Sequence, residues 1–176
     1  IGSRGYRNGK LFKEVNAIFR YRNIPYQGSF KCDDERLNTI WTTGAYTVHL
    51  NMQDYVWDGI KRDRLIWLGD LHPETSTIAH VFGGDESVYA TLDLACKQYP
   101  LPNNWFNGMS AYSMWYLIIH HDWYMHNGNL AFLQKHTDYI KGLIDQIDGR
   151  VNADGTEKLG GGKFLDWPSS PNKEGV

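Results

Sequence analysis

The chain has 176 residues, and its 18 Lys and Arg side chains nearly balance 20 Asp and Glu, for a formal net charge of -2. This balance gives no electrostatic footprint for nucleic acid or an anionic membrane, and the absence of any run of about 18 apolar residues excludes a predicted transmembrane helix. The length is typical of one domain, and two cysteines are too few for a disulfide framework.

Residues 1–30 differ in pattern from the rest of the chain. The run from Leu11 to Tyr21 alternates loosely between apolar and polar side chains, and glycine and proline interrupt the sequence around it, which predicts one or two short strands. Such strands cannot form a core alone. We therefore expect residues 1–30 to be the β-rich tail of a preceding domain or a linker, followed by a helical domain.

From Asp33 the apolar spacing becomes helical. Acidic residues at 33–35 favour a helix start, and the first helix is predicted to run to about Asp54. Its buried stripe is predicted to consist of Leu37, Ile40, Trp41, Gly44, Val48 and Met52. Four more helices are predicted. The second has Pro73 in its first turn and ends at Gly83, and the third runs from Asp85 to Tyr99. The fourth is capped by Ser110 and ends at Asn127, and the fifth runs from Asn129 to Gly149.

The connections predict how these helices are arranged. Short connections make consecutive helices antiparallel neighbours, and the longer loops that carry polar and aromatic residues follow alternate helices. These loops cover residues 55–72, 102–109 and 150–170. An Asp-Gly pair between Val151 and Thr156 predicts a turn with a strand on either side. The sequence therefore predicts a mainly α fold in which one end of the helices carries the functional loops.

The densest chemistry lies between Tyr55 and Glu74. Carboxylates, basic side chains and indoles alternate there with apolar residues, and the polar members are Asp58, Lys61, Arg62, Asp63, Arg64, Asp70, His72 and Glu74. Carboxylates perform acid–base chemistry and bind hydroxyls, arginine clamps carboxylates, and indole faces stack on sugar rings. The segment indicates a sugar site, and the alternative interpretation is a surface loop with salt bridges between two helices.

The spacing Asp58-x-x-x-Arg62-Asp63-x-x-x-Trp67-x-x-Asp70 resembles the signature of the bacterial α-L-rhamnosidases, a family of inverting glycoside hydrolases. The later Phe-Leu-Asp-Trp sequence is similar to a second Asp-Trp segment of that family, and the loop around Trp105 to its sugar-stacking loop. The resemblance covers roughly residues 30–170. It implies an (α/α)6 toroid, usually preceded by β domains, and a catalytic site that needs no cofactor or metal.

The family's site residues follow from the same resemblance. It implies that Asp63 is the general acid, although the family commonly has Glu there, whose side chain is one methylene longer. It implies substrate contacts for Asp58, Arg62, Trp67, Asp70, Trp105, Asp166 and Trp167. For Trp105, the residues themselves leave open whether the indole stacks on sugar or anchors its loop.

The resemblance also implies what lies outside this sequence. The family's general base follows the second Asp-Trp segment, and a toroid of twelve helices needs about twice the helices predicted here. We therefore expect residues 31–176 to be the N-terminal half of a catalytic domain that is inactive without its base. Its partners would be a carbohydrate, the remainder of that domain and the preceding β domains. By analogy with exported relatives, a periplasmic or extracellular location is expected.

Three alternatives remain open at this point. Glu74 is a second candidate acid, but a position at a helix N-terminus would favour its ionised form. His120, His121, Asp122 and His126 resemble a metal cluster without an obvious further ligand, on a helix that the pattern places in the core. The competing functions are a non-catalytic carbohydrate-binding or scaffold protein on the same fold, and a six-hairpin glycosidase or lyase that binds uronic-acid sugars through Lys61 and Arg64.

Overall fold

The computed structural model describes residues 14–102 and 104–160, and this part of the chain is mainly helical. Its helices are α1 (Glu35–Asn51), α2 (Leu68–Phe82), α3 (Glu86–Gln98), α4 (Ser110–Asn127), α5 (Leu130–Lys135) and α6 (Thr137–Asp148), with a single 3-10 turn at Phe106–Gly108. The prediction of a mainly α fold is confirmed. No helix in the described ranges is both long enough and apolar enough to cross a membrane.

The short β segment does not form in residues 14–30, the part of the predicted segment that the structure describes. Apolar side chains there, such as Val15, Ile18 and Phe19, are 63–86% exposed. A strand needs a neighbouring strand to satisfy its backbone groups, and this run has no such neighbour among the described residues. An alternating pattern alone is therefore insufficient to produce a strand.

The segment from Arg22 to Gly28 instead lies against the helices. The backbone N–H groups of Gln27 and Gly28 both donate to the carbonyl of Val81, at 2.8 and 2.9 Å. A Cβ atom on Gly28 would lie 1.9 Å from the carbonyl oxygen of His80, so glycine permits this close approach. Backbone hydrogen bonding thus attaches the segment to the end of α2.

Four helix ends have the capping residues that the sequence predicted, two aspartates at helix starts and two glycines at helix ends. Asp34 and Asp85 cap α1 and α3, and the carboxylate of each accepts a backbone N–H of the first turn at 2.8 Å. Gly83 and Gly128 end α2 and α4 in the left-handed conformation. The predicted cap at Ser110 is wrong, because Ser110 is the first helical residue and is 8% exposed.

The start of α2 differs most from the prediction. The helix begins at Leu68, so Pro73 is an interior residue rather than a first-turn residue. Leu68 and Leu71 are fully packed, with exposures of 0% and 1%, and this burial stabilises the additional turn before the proline. As a consequence, Glu74 lies almost two turns from the helix start.

The predicted last helix is divided in two at His136. That residue has φ -99° and ψ 0°, which separates α5 from α6. Its Nε2 atom lies 2.9 Å from a carboxylate oxygen of Asp93 on α3. The interruption therefore coincides with a side-chain contact to a neighbouring helix.

Packing between α2 and α4 forms the centre of the core. The fully buried residues include Phe82 on α2, Leu92 on α3, and Tyr116 and Ile119 on α4. The apolar stripe predicted for α1 is wrong in its first half, because Leu37 and Ile40 are 47% and 57% exposed. On that helix the buried residues are Ala45, His49 and Asn51.

The predicted turn after α6 is confirmed at its centre. The N–H of Asn152 donates to the carbonyl of Thr156 at 2.8 Å, and Val151 pairs with Glu157 in one antiparallel bridge. Only this single bridge forms in the described residues on either side of the turn, instead of two flanking strands.

Candidate active site

Arg62 gathers three of the predicted carboxylates. Its guanidinium group lies 2.9 Å from Asp58, 3.4 Å from Asp63 and 4.0 Å from Asp70. These carboxylates raise the pKa of the arginine, with the Asp58 hydrogen bond as the largest cause. The side chain of Arg62 is nevertheless 66% exposed. The structure therefore brings the three motif carboxylates together around one solvent-accessible guanidinium.

Asp58 also closes the loop that carries these residues. Its side chain is fully buried, and its Oδ1 atom accepts the backbone N–H of Leu65 at 3.0 Å. The N–H of Asp58 donates in return to the carbonyl of Leu65 at 3.2 Å. Between these two ends Arg64 has a positive φ of 53°, which a non-glycine residue rarely adopts. Asp58 thus fixes the loop as well as binding Arg62.

Trp67 lies beside the charged group and is partly exposed. Its indole N–H donates to Oδ2 of Asp63 at 3.2 Å. The ring contacts Tyr112 of α4 edge to face, with centroids 6.3 Å apart. Because one edge binds Asp63 and another packs on Tyr112, the indole has a fixed orientation next to the carboxylates, as a sugar-contacting ring requires.

Asn107 holds the backbone on both sides of Trp67. Its Oδ1 atom accepts the N–H of Leu68 at 3.3 Å, and its Nδ2 atom donates to the carbonyl of Ile66 at 3.1 Å. The residue has a positive φ of 54°, a conformation that Asn tolerates better than most residues. The sequence prediction missed this role, since one Asn next to a glycine is common in any loop.

Gly69 allows α2 to approach α4 at this position. A Cβ atom on Gly69 would lie 2.2 Å from the ring of Tyr112, which is only 6% exposed. Tyr112 contacts Trp67 as well, so displacement of its ring would also disturb the indole.

We expect Gly69→Ala to lower the free energy of unfolding by about 1–3 kcal/mol, the usual cost of overpacking a core. The matched control is Gly44→Ala, which lies inside α1 and has no atom within 4 Å of its added Cβ. Alanine there should be neutral or stabilising, since it reduces backbone entropy in a helix. Denaturant unfolding of both variants checks the pair, and equal effects would contradict the packing explanation.

Glu74 lies on the same helix as Asp70 and interacts with the charges of Asp70 and Asp58. It lies on α2 four residues after Asp70, and its carboxyl group is hydrogen-bonded by the side chain of Asn51 from α1. Burial, followed by the charges of Asp70 and Asp58, raises the pKa of Glu74 to about 8. The helix-dipole argument against this residue is wrong for this structure, because the dipole acts mainly on the first turn.

Trp105 is buried, with an exposure of 4%. Its indole N–H donates to the carbonyl of Leu159 at 3.1 Å, and the guanidinium of Arg150 lies 5.9 Å from the ring centroid. This arrangement favours the loop-anchor interpretation over a stacking face. Asp166 and Trp167, the remaining predicted sugar contacts, lie outside the described residues.

The predicted histidine cluster does not converge on one point. His120 is buried beside His136, with ring centroids 5.1 Å apart, and burial lowers its pKa to about 4. His121 contacts Asp122 instead, and His126 contacts the carbonyl of Gly83. Within residues 14–102 and 104–160, no group of three or more potential ligands is arranged to hold a metal ion.

The described residues thus combine a helical domain with carboxylates, an arginine and an indole gathered on a loop next to the start of a helix. The family model described as bacterial alpha-L-rhamnosidase 6 hairpin glycosidase domain matches residues 25–175. The chain belongs to this family. No curated protein matches the chain.

Proposed function

We propose that the chain supplies part of the catalytic site of an inverting glycoside hydrolase that removes terminal α-L-rhamnose from glycans or glycosides. Family membership supports glycoside hydrolysis in general. The finer assignment is supported by the group formed by Asp58, Arg62, Asp63 and Asp70, which matches the family's signature in its spacing. Hydroxyl groups of a sugar are natural ligands for such carboxylates.

The charge around Arg62 is the observation that carries this proposal. Three carboxylates already contact the guanidinium, so acidic groups outnumber this cation at the site. A uronic acid would bring a further negative charge to a cation that is already paired. A neutral deoxysugar brings hydroxyl groups, which can donate to the carboxylates and accept from the guanidinium without adding a charge. The group therefore favours a neutral sugar over the uronic-acid alternative.

The substrate is tested by assaying the full-length protein on aryl α-L-rhamnosides, on other neutral aryl glycosides and on unsaturated or saturated glucuronides. We expect turnover of the rhamnosides with inversion at the anomeric carbon, followed by NMR of the first product formed. Preferred cleavage of the uronides would refute the rhamnoside assignment. Binding of rhamnose without turnover would instead support a non-catalytic carbohydrate-binding protein.

Asp63 occupies the position of the family's general acid, and we expect Asp63→Asn in the full-length enzyme to reduce kcat strongly. The reason is that Asp63, as general acid, would protonate the departing glycosidic oxygen, and its carboxyl group also contacts Arg62 and Trp67 beside the sugar. Loss of one catalytic carboxylate commonly costs about 10²–10⁴-fold in rate. An unchanged kcat on a poor leaving group would remove Asp63 from the catalytic site.

Inverting hydrolysis also needs a second carboxylate, about 6.5–9.5 Å from the acid, to activate water. We assign no base among the described residues. The expectation that residues 1–176 are inactive without the rest of the domain stays a prediction. Turnover by this chain alone on an aryl α-L-rhamnoside would contradict it.

A further inference from the structure

A small cavity lies between the C-terminal half of α4 and the start of α5. It is lined by His120, Trp123, Tyr124 and Asn127 of α4 and by Asn129, Phe132 and Leu133 after that helix. The α4 residues are three, four and seven positions apart, so they share one face of the helix. The volume open to the centre of a water molecule is about 10 Å³. Roughly 10–15 Å³ on this measure holds a single water molecule, so the cavity has space for one water and for little else.

Three buried side-chain nitrogens that line this cavity have no hydrogen-bond partner among the described residues. They are Nε2 of His120, Nε1 of Trp123 and Nδ2 of Asn127. His120 and Trp123 are each only 3% exposed, so bulk solvent does not supply the missing partners. Native proteins pair nearly all such groups with protein atoms or with ordered water. In the part of the chain that the structure describes, one other buried side-chain atom is unpaired, Oγ of Ser87 on α3.

The contacts of His120 decide which of its ring nitrogens is an acceptor. Nδ1 lies 3.0 Å from the carbonyl oxygen of Tyr116, and because a carbonyl can only accept, Nδ1 carries the hydrogen. Burial lowers the pKa of His120 to about 4, so the ring is neutral near pH 7. Nε2 therefore presents a lone pair to the cavity and needs a donor.

The other two nitrogens are donors. The indole Nε1 of Trp123 carries a hydrogen and has no lone pair to offer. The amide of Asn127 is oriented by its oxygen, which accepts the backbone N–H of Asn129 at 2.9 Å. That contact leaves the NH₂ group as the unpaired end of the amide. The cavity thus offers two donors and one acceptor to whatever occupies it.

This combination selects the chemical class of the occupant. A metal cation or an ammonium ion cannot accept hydrogen bonds from Trp123 and Asn127, and a halide cannot donate to His120. A water molecule can accept two hydrogen bonds and donate one at the same time. Three hydrogen bonds are also the usual number for a buried water molecule.

We propose that this cavity is a binding site for one structural water molecule, which accepts from Trp123 and Asn127 and donates to Nε2 of His120. The site shares no residue with the charged motif and is independent of the proposed glycosidase function. The ring of His120 is stacked on Phe132 of α5, with centroids 5.9 Å apart. By holding this ring and the amide of Asn127, the water stabilises the end of α4 against α5.

Trp123 also borders a second cavity, of about 200 Å³, between α2 and α4. His126 lines this larger cavity and not the smaller one, whereas Asn127 lines the smaller cavity and not the larger one. Substitutions at these two neighbouring positions therefore distinguish the two places in which a water molecule could contact the indole.

The first test is NMR of the full-length protein with ¹⁵N-labelled tryptophan. We expect a nuclear Overhauser effect with the sign of a long-lived bound water between water and the indole N–H of Trp123. Trp105 is the matched control, since it is 4% exposed and its indole N–H already donates to the carbonyl of Leu159. It should show no such effect. A Trp123 indole without contact to a bound water overturns the proposal.

A pair of variants assigns that water to its cavity. Asn127→Leu removes the amide donor and should abolish the effect at Trp123, whereas His126→Leu should leave it unchanged. Asn127→Asp should retain it, because a carboxylate still accepts the N–H of Asn129 and can accept from the water as well. An effect that survives Asn127→Leu but is lost in His126→Leu overturns the proposal in favour of the larger cavity.

A high-resolution crystal structure of the full-length wild type provides a second measurement without any substitution. We expect one water oxygen within about 3.2 Å of the three nitrogens of His120, Trp123 and Asn127. A protein group bonded directly to Nε2 of His120 would contradict the site. If Asn127→Leu does not fold, this structure and the wild-type comparison of the two indoles decide.

Discussion

Glu74→Gln is expected to make the protein's stability much less dependent on pH. The folded protein keeps the Glu74 proton to about pH 8, whereas the unfolded chain releases it near 4.5. Between these values the unfolded state binds fewer protons than the folded state, so the wild-type free energy of unfolding falls as pH rises. A neutral glutamine has no proton to lose, and the variant should lack this part of the decline.

The expected change in the free energy of unfolding follows from the pKa shift of Glu74. One pKa unit corresponds to about 1.4 kcal/mol, and after allowance for partial exposure we expect the variant to gain ~2–4 kcal/mol relative to wild type between about pH 4.5 and 8. Urea unfolding at several pH values measures this gain. The control is Glu35→Gln, at an exposed position in the first turn of α1, which should give a curve parallel to wild type. A parallel curve for Glu74→Gln would contradict the burial of a protonated Glu74.

Asp58→Ala is expected to open the loop between residues 58 and 65 and to separate the charged residues of the site. The substitution removes the acceptor for the N–H of Leu65 and the closest carboxylate of Arg62. A hydrogen bond with a charged partner contributes about 1.5–3 kcal/mol to stability. The population of the open form of the loop should therefore increase about tenfold or more. We also expect about a 10²-fold loss in kcat/KM, because small displacements of catalytic groups are costly.

Limited trypsin digestion measures the opening directly, since the loop contains Lys61, Arg62 and Arg64 as cleavage sites. Asp58→Asn should protect the loop partly, because the amide oxygen can still accept the N–H of Leu65. Asp54→Ala, at an exposed position shortly before the loop, is the control that should resist cleavage as the wild type does. Rapid cleavage of the control, or a resistant Asp58→Ala variant, would show that Asp58 does not close the loop.

Local signals in the sequence predicted much of the helical framework. Asp34 and Asp85 cap helices because their side chains reach the first free N–H groups, and Gly83 and Gly128 end helices because glycine adopts a positive φ without strain. The spacing of the charged motif also placed Asp58, Arg62, Asp63 and Asp70 in one group. That group forms mainly through contacts within one short segment, so a pattern of residues can indicate it.

Positions that depend on distant residues were not predictable in this way. The additional turn of α2 arises where Leu68 and Leu71 enter the core and Asn107 bonds the backbone, and it changes the position of Glu74 relative to the helix start. Leu37 and Ile40 have a helical apolar spacing but remain exposed, because spacing does not specify which face meets a neighbour. The loop around Trp105 has the composition of a sugar-stacking loop. The indole is nevertheless buried, and its N–H donates to the carbonyl of Leu159.

The amino-acid sequence by itself determined the helical class, most helix ends and the membership of the charged motif, since these depend on short-range backbone geometry and residue spacing. Only the tertiary structure decided that the pKa of Glu74 is raised to about 8. That outcome depends on the burial of Glu74 and on the approach of Asn51 and Asp58 from other segments, and desolvation is a property of the packed surroundings rather than of the residue.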